Sequence, residues 1–269
     1  MNWRSVLKEL VPPLLLRAFR HARFRLLPGT LRHFCPVCRK RVDAFIPLAP
    51  YYDEQAQKYG YVHSPYLVET INRRQYQCPR CGATDRDRLY ALFLERQAEE
   101  GRISSLLDIA PSWPLSRYIK ALRPETYRTA DLSMSGVDDV IDITNMTCYE
   151  DDAFGAIICS HVLEHVPDDR KAIGELHRIL APGGWAILMA PINLGLEEIC
   201  EDPTITDPGL RWKYFWQFDH VRIYSKSGFL ERLTQAGFTV AQYDADDFGE
   251  SVFERCGIAD RSVLYVGSK

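Results

Sequence analysis

The sequence lacks a long apolar segment. None of its uncharged apolar runs approaches the roughly 18 residues that a membrane-spanning helix requires. The N-terminus also lacks an apolar stretch followed by the small-residue cleavage site of a secretory signal. We therefore expect a cytoplasmic protein. With 269 residues and 46% apolar composition, the chain can bury one full-size core and a small accessory module, which excludes three independent domains.

A strong net charge is also missing, because the formal value is only -3, but the two parts of the chain differ in sign. Residues 1–102 carry 18 Lys and Arg against 10 Asp and Glu, whereas residues 103–269 carry 15 against 26. This asymmetry is typical of a chain whose basic front part docks on an anionic partner and whose second part is a separate acidic unit. An ordinary solvated surface is the alternative.

The basic end begins with a segment, residues 1–34, that we interpret as amphipathic. Leu15, Phe19 and Leu26 recur at helical spacing between arginines. Such a helix can lie on an anionic membrane surface, so we expect either a peripheral location at the inner face of the membrane or packing against the rest of the protein.

Four of the eight cysteines form two close pairs, Cys35 with Cys38 in CPVC and Cys78 with Cys81 in CPRCG. In a cytoplasmic chain such pairs indicate metal binding rather than disulfides, with redox chemistry as the alternative. Four thiolates complete a closed tetrahedral site, so we predict structural Zn²⁺ without an open position for chemistry. The 39 intervening residues exceed a usual zinc-ribbon interval and predict a hairpin or helical excursion within a zinc-binding module, residues 35–83.

A helix should follow this zinc-ribbon-like module. Thr84 has the character of an N-cap, Asp85 and Asp87 place negative charge in the first turn, and Gly101 follows as a stop signal. We predict a linker helix over residues 84–102 that joins the module to a second domain, residues 103–269.

From residue 103 onward, short apolar runs alternate with helical segments, which predicts a doubly wound parallel sheet with ligands at the carboxyl ends of its strands. The segments SLLDIAPSW, YRTADLS, VIDITNM, FGAIICSHVLEHV and RILAPGGWAILMAP resemble, in order and spacing, the class I S-adenosylmethionine (SAM)-dependent methyltransferases. The resemblance covers residues 103–267. It implies an α/β, Rossmann-like fold with a seven-stranded doubly wound sheet, and SAM as the cofactor.

The same resemblance implies six cofactor-binding residues. They are Asp108, Ala110, Asp131, Asp142, Ile143 and Ser160. Asp131 would bind the ribose hydroxyls, and Asp142 with Ile143 would face the adenine. Ala110 stands where the family has a glycine-rich turn. Its side chain restricts how closely the backbone can approach the cofactor, so we expect either a shifted cofactor or the loss of SAM binding.

The segment 191–224 is much longer than an ordinary connection, and we interpret it as a substrate-binding lid. Its aromatic and polar residues suit stacking on sugars or bases, or form a small local core. Within it, His220 is our candidate general base, oriented by Asp219, and His161 competes for the role. A carboxylate acceptor would need neither.

A closer resemblance rests on CPVC, NRRQYQCPRCGATDRDRLYAL, EDPTITDP and FDHVRIYS, which are similar to a bacterial subgroup of zinc-knuckle methyltransferases encoded among surface-polysaccharide genes. It implies O-methylation of a sugar hydroxyl or carboxyl group in a cell-surface glycan or its lipid-linked precursor. The alternatives are an rRNA or other nucleic-acid methyltransferase, disfavoured by the acidic second domain, a peptide or small-metabolite methyltransferase, and a non-catalytic zinc scaffold. The oligomeric state stays open.

Overall fold

A computed structural model describes residues 32–269 of the chain. The predicted amphipathic segment therefore lies outside the described residues, apart from its last three positions. Within residues 32–269, every helix is too short or too polar to cross a membrane.

Eleven strands and eight α-helices make up the described part of the chain. In chain order the strands are β1 (His33–Cys35), β2 (Lys40–Val42), β3 (Ser105–Ile109), β4 (Thr126–Asp131), β5 (Asp139–Val140), β6 (Phe154–Ser160), β7 (Leu180–Met189), β8 (Cys200–Glu201), β9 (Arg222–Ile223), β10 (Thr239–Tyr243) and β11 (Leu264–Ser268). The helices are α1 (Tyr51–Tyr59), α2 (Asp85–Glu99), α3 (Trp113–Leu122), α4 (Asp169–Ile179), α5 (Pro208–Phe215), α6 (Lys226–Gln235), α7 (Ala245–Phe248) and α8 (Glu250–Cys256).

Seven strands form the main sheet in the order β10-β11-β7-β6-β3-β4-β5. The five strands from β7 to β5 are parallel, and β11 pairs antiparallel with both β7 and β10. The strand order reverses between the neighbours β3 and β6, and a crevice opens where the connections leave in opposite directions. The prediction of an α/β Rossmann-like fold with a seven-stranded sheet is confirmed.

The helices α4 and α6 follow from their apolar spacing and their N-caps. In α4, Ala172, Ile173, Leu176 and Ile179 are fully buried at helical spacing, and Asp168 caps the first turn. The chain then becomes extended at Leu180. Ser225 caps α6, and the antiparallel pair β10 and β11 follows. Sequence reasoning missed α7 and α8 between these strands.

The N-terminal module is built on a short hairpin. β1 and β2 pair antiparallel and place Cys35 at the end of β1. An isolated bridge between Ile46 and Gln77 brings the chain back to the second cysteine pair. The excursion between the pairs is helical, because it contains α1 and a 3-10 turn at Pro65–Leu67.

The excursion packs against the segment 191–224 rather than standing apart. Val68 bridges to Asn193, the ring of Tyr59 stacks on Trp212, and Tyr61 stacks on Trp216. Val68 and these four aromatic rings belong to a second hydrophobic cluster beside the main core. The module therefore shares a core with the segment that we predicted to be a lid.

Candidate functional site

The four paired cysteines meet in one cluster. Each contributes a sulfur that lies within 4.8 Å of the others. The Sγ atoms of Cys35 and Cys81 are 3.8 Å apart, and those of Cys38 and Cys78 are 4.0 Å apart. Disulfide sulfurs lie about 2 Å apart. Four thiolates at about 2.3 Å from a central Zn²⁺ lie about 3.8 Å from one another, so the arrangement fits that ion.

The crevice of the main sheet is edged by two residues in left-handed backbone conformation. Ala110, directly after β3, has φ 52°, and His161, directly after β6, has φ 57°. Their N–H groups donate to the carbonyl oxygens of Ala130 and Met189, at 2.8 Å in both cases. A non-glycine residue in this region carries strain, which proteins keep mainly at functional sites.

Three cavities open along this edge. The outer cleft, of about 490 Å³, is lined by the ends of β3, β4 and β6 and includes Asp131, Asp142 and Ile143. The inner chamber lies under Ala110 and includes Asp108 and Ser160. The lateral pocket lies between the excursion and the segment 191–224. His161 lines all three cavities and is the point at which they meet.

Two carboxylates are presented to the outer cleft by tight turns. Asp131 accepts the N–H groups of Ser133 and Met134 on Oδ1, at 2.7 and 2.6 Å, which leaves its second oxygen available. Asp142 accepts the N–H and hydroxyl of Thr144, and these hydrogen bonds lower its pKa. Apolar walls come from Ile143 and its neighbours Leu132, Ile141, Val162 and Val166. A planar base between these walls and a sugar diol at Asp131 fit this cleft.

The inner chamber contains carboxyl groups and a guanidinium. Burial raises the pKa of Asp108 to about 7, although hydrogen bonds from Tyr127 and Ser116 to the same oxygen oppose the change. Arg86, in the first turn of α2, lines both this chamber and the lateral pocket. The hydroxyl groups of Ser160 and Tyr90 share a hydrogen bond of 2.8 Å at its wall. An acid and a guanidinium suit a ligand end that carries both an amino and a carboxylate group.

Sequence reasoning missed Arg86 and the contribution of the module. One signal was present for Arg86, because a cation in the first turn of a helix opposes the helix dipole and calls for a specific reason. The wall that Leu48, Tyr52, Thr70 and Tyr76 give to the lateral pocket had no local signal. These residues reach the site only through the folding of the excursion.

The histidine at the meeting point has one occupied and one free nitrogen. His161 Nδ1 lies 3.2 Å from Oε1 of the buried Glu164, whereas Nε2 is buried without a partner among the described residues. Burial, and then the charge of Arg86, lower the pKa of His161 to about 4. Burial alone would raise the pKa of Glu164, but the hydrogen bond and charge of His161 lower it to about 2. The imidazole is therefore neutral near pH 7.

The predicted pairing of Asp219 with His220 is wrong. Asp219 Oδ2 lies 3.4 Å from Nδ1 of His165, and His220 Nδ1 instead contacts the carbonyl oxygen of Phe215 at 2.9 Å. His220 is buried, which lowers its pKa to about 4, and it lines the lateral pocket. The Asp219 carboxylate therefore contacts the other histidine of the pair. His165 lines the outer cleft.

The aromatic residues of the segment 191–224 divide between core and pocket. Trp212, Phe215 and Tyr224 are buried in packing, so the alternative of a local core holds for them. Trp216 lines the lateral pocket beside Gln217. Its αL backbone at φ 71° ends α5 and turns the ring toward the excursion.

Comparison with known proteins gives one family. A family model described as a methyltransferase domain matches residues 83–243. Similar solved structures include a SAM-dependent methyltransferase from Mesorhizobium loti, which is 14% identical with a TM-score of 0.42 and covers 62% of this chain and 93% of its own. Another, from Archaeoglobus fulgidus, is 12% identical with a TM-score of 0.44 and covers 68% of this chain and 94% of its own.

An O-methyltransferase family protein from Burkholderia thailandensis is 14% identical with a TM-score of 0.44 and covers 68% of this chain and 57% of its own. No protein of curated function matches the sequence. The family model decides the assignment, because its match covers more than half of the chain and includes β3, β4 and β6, whose ends build the outer cleft. The chain belongs to the methyltransferase-domain family and is a methyltransferase.

Proposed function

We propose that this methyltransferase transfers a methyl group from SAM to an oxygen of a sugar, a hydroxyl or a carboxyl group, in a cell-surface glycan or its lipid-linked precursor. The observation that carries the proposal is the meeting of three cavities at His161, two of them suited to the cofactor and one left for the acceptor. The resemblance to zinc-knuckle methyltransferases of polysaccharide gene clusters supplies the acceptor class.

The polar and apolar groups that line the two cofactor cavities suit the successive parts of SAM. Asp131 would hold the ribose hydroxyls, and Asp142 with Ile143 would hold the adenine. Asp108 and Arg86 would hold the charged amino-acid end in the inner chamber, beside Ser160 and the backbone of Ala110. When bound there, SAM supplies a methyl group on a positively charged sulfur.

The lateral pocket suits a sugar. Its aromatic lining by Tyr52, Tyr76 and Trp216 offers ring faces on which the C–H face of a pyranose can stack, and Gln217 offers hydrogen bonds to hydroxyl groups. Burial of the acceptor between the excursion and the segment 191–224 would exclude water and hold its oxygen near the methyl group. Positioning of that kind supplies much of the acceleration in a direct displacement.

Two histidines are candidates to receive the proton of an acceptor hydroxyl. His161 and His220 both line the lateral pocket, and Nε2 of each ring is buried without a partner among residues 32–269. With Nδ1 engaged by Glu164 or by the Phe215 carbonyl, Nε2 carries the lone pair in the neutral ring. A carboxyl acceptor would be deprotonated already and would need neither histidine.

The remaining assignments belong to the same proposal. Zn²⁺ at the four cysteines would fix the excursion that walls the lateral pocket, without taking part in chemistry. The basic residues 1–34 would bring the enzyme to an anionic membrane surface where lipid-linked glycans are assembled.

The test is transfer of label from methyl-tritiated SAM. Purified protein is incubated with lipid-linked glycans from cells that lack it, and in parallel with total RNA and with a peptide digest. We expect label in the glycan fraction only. Label released by mild alkali would identify a methyl ester on a carboxyl group, and label stable to alkali would identify an ether on a hydroxyl. Label in RNA or peptides, with none in glycans, would contradict the proposal.

A further inference from the structure

Glu164, His165 and His220 form a cluster, and the assignments above do not explain why these three side chains meet. One ligand atom from each lies within 4.8 Å of the others, and the Nε2 of His165 is 4.0 Å from the Oε1 of Glu164. Glu164 and His220 are each 1% exposed. Glu164 Oε2 and His220 Nε2 are buried without a hydrogen-bond partner in the described part of the chain. An ionised carboxylate is costly to bury with an unsatisfied oxygen, so a ligand is called for.

The two imidazoles are turned so that both offer Nε2 to the cluster. His165 Nδ1 lies 3.4 Å from Asp219 Oδ2, and His220 Nδ1 lies 2.9 Å from the carbonyl oxygen of Phe215. Donation from Nδ1–H to these oxygens fixes the tautomer with a lone pair on Nε2. Metal-binding histidines are held in this way, by a carboxylate or carbonyl on the nitrogen away from the ion.

The backbone around the cluster is held in place before any ligand arrives. The N–H of Val221 donates to the carbonyl oxygen of Glu164 at 2.8 Å. The Arg222 guanidinium donates to the carbonyl oxygens of Leu163 and Pro167, at 2.9 and 2.8 Å, and is itself paired with Glu201. These bonds join the turn that carries Glu164 and His165 to the segment that carries His220. The three ligands are therefore fixed relative to one another although 54 residues lie between His165 and His220.

The cluster lies between the places proposed for the cofactor and the acceptor. His165 lines the outer cleft, His220 lines the lateral pocket, and His161, which lines both, contacts Glu164. An ion bound here would therefore lie next to the acceptor oxygen, between the two cavities.

We propose that Glu164, His165 and His220 bind a divalent transition-metal ion whose open positions hold the acceptor oxygens. Two imidazoles and one carboxylate suit Zn²⁺, Fe²⁺, Co²⁺ or Mn²⁺, and three protein ligands leave positions for a diol or a carboxylate. The role in catalysis rests on the proposed O-methylation. There the ion favours loss of the hydroxyl proton to His161 Nε2, the oxygen bonds to the methyl carbon, and the electron pair of the broken carbon–sulfur bond stays on sulfur.

The site is tested by Co²⁺ binding to the protein with zinc already at the four cysteines. Visible absorption follows the titration, and elemental analysis counts both metals. We expect one Co²⁺ per chain, with weak ligand-field bands and no thiolate charge-transfer band. His165→Ala and His220→Ala should weaken Co²⁺ binding by at least about 100-fold, and Asp219→Asn by about 10- to 100-fold, because it loses the partner that orients His165. His177→Ala, which removes a histidine packed on Phe238, is the matched control and should leave binding unchanged.

The His165 side chain is 35% exposed, so His165→Ala is the variant least at risk of unfolding, and retained zinc at the four cysteines with an unchanged circular dichroism spectrum verifies its fold. Co²⁺ binding that is absent from the wild type, equal in wild type and His165→Ala, or accompanied by a thiolate band would overturn the site. Methyl transfer that survives full removal of the second metal would overturn its role in catalysis. Metal binding without any glycan methylation would leave the site standing and contradict the proposed function instead.

Discussion

Ala110 and His161 show how single residues shape the cofactor site. The turn after β3 has an alanine with φ 52° where a glycine would carry no strain, at a cost of about 1 kcal/mol. Because alanine has the smallest side chain after glycine, Ala110 can adopt this left-handed conformation and the turn does not need a glycine. The glycine-free sequence DIAP therefore leaves the crevice open, which removes the structural reason to expect lost SAM binding.

Asp108 gives the first prediction, which concerns pH. Its pKa is raised from 3.8 to about 7 by burial, so the folded protein prefers the protonated acid. The folded state then binds more protons than the unfolded chain in this window, and the free energy of unfolding falls as the pH rises from about 4 to about 7. Asp108→Asn should remove this part of the fall.

Urea unfolding of both proteins at a series of pH values, without SAM, measures the difference directly. The variant should gain in stability relative to the wild type as the pH rises through the window. A constant difference across it would show that Asp108 does not hold its proton in the folded protein.

At the scale of elements, α2 connects the N-terminal module to the main sheet. Thr84 and Asp87 close a capping box at its start, and Asp87 also accepts the hydroxyl of Ser112 at the start of α3. Arg88 is fully buried, and its guanidinium donates to five carbonyl oxygens. They belong to Gln75, Tyr76, Ala83, Cys256 and Gly257. One side chain thus ties the second cysteine pair to the end of α8.

Arg88→Met should therefore lower the free energy of unfolding by about 3 kcal/mol or more, because it leaves buried carbonyl oxygens without donors. Urea denaturation measures the loss, and the rate of zinc transfer to a chelator should rise with it. The matched control is Arg39→Met, which removes an exposed ion pair with Glu95 and should cost at most about 1 kcal/mol. Equal losses in the two variants would contradict the role of Arg88.

At the scale of the whole molecule, the sequence predicts what depends on local pattern. Apolar runs predicted β3, β4 and β6, and Thr84 predicted the start of α2. The spacing of the two cysteine pairs predicted that the four cysteines meet. The sequence did not predict the lateral pocket, because Tyr52 and Trp216 are distant in sequence and meet only through tertiary packing. It also did not predict that Asp219 contacts His165 rather than His220.

The shared core of the module and the segment 191–224 leads to a prediction about zinc. Removal of the metal by a chelator, or Cys78→Ser, should loosen the wall of the lateral pocket. Turnover with the glycan acceptor should fall at least tenfold, whereas SAM affinity should change only a few-fold, because the outer cleft is built by the main sheet.

Cys148→Ser is the control, since this cysteine is exposed and far in sequence from the cluster, and it should change neither quantity. Kinetics with varied acceptor and calorimetric titration with SAM separate the two effects. A parallel loss of SAM binding would mean that the module supports the entire site.

The central claim is that the outer cleft and inner chamber bind SAM, and calorimetric titration of SAM into the purified protein tests it most directly. We predict one site per chain, and binding about 10- to 100-fold weaker in Asp131→Ala, which loses the carboxylate proposed to hold the ribose hydroxyls. His177→Ala should bind as the wild type does. Absence of SAM binding by the folded wild-type protein, or equal binding by Asp131→Ala, would contradict the account.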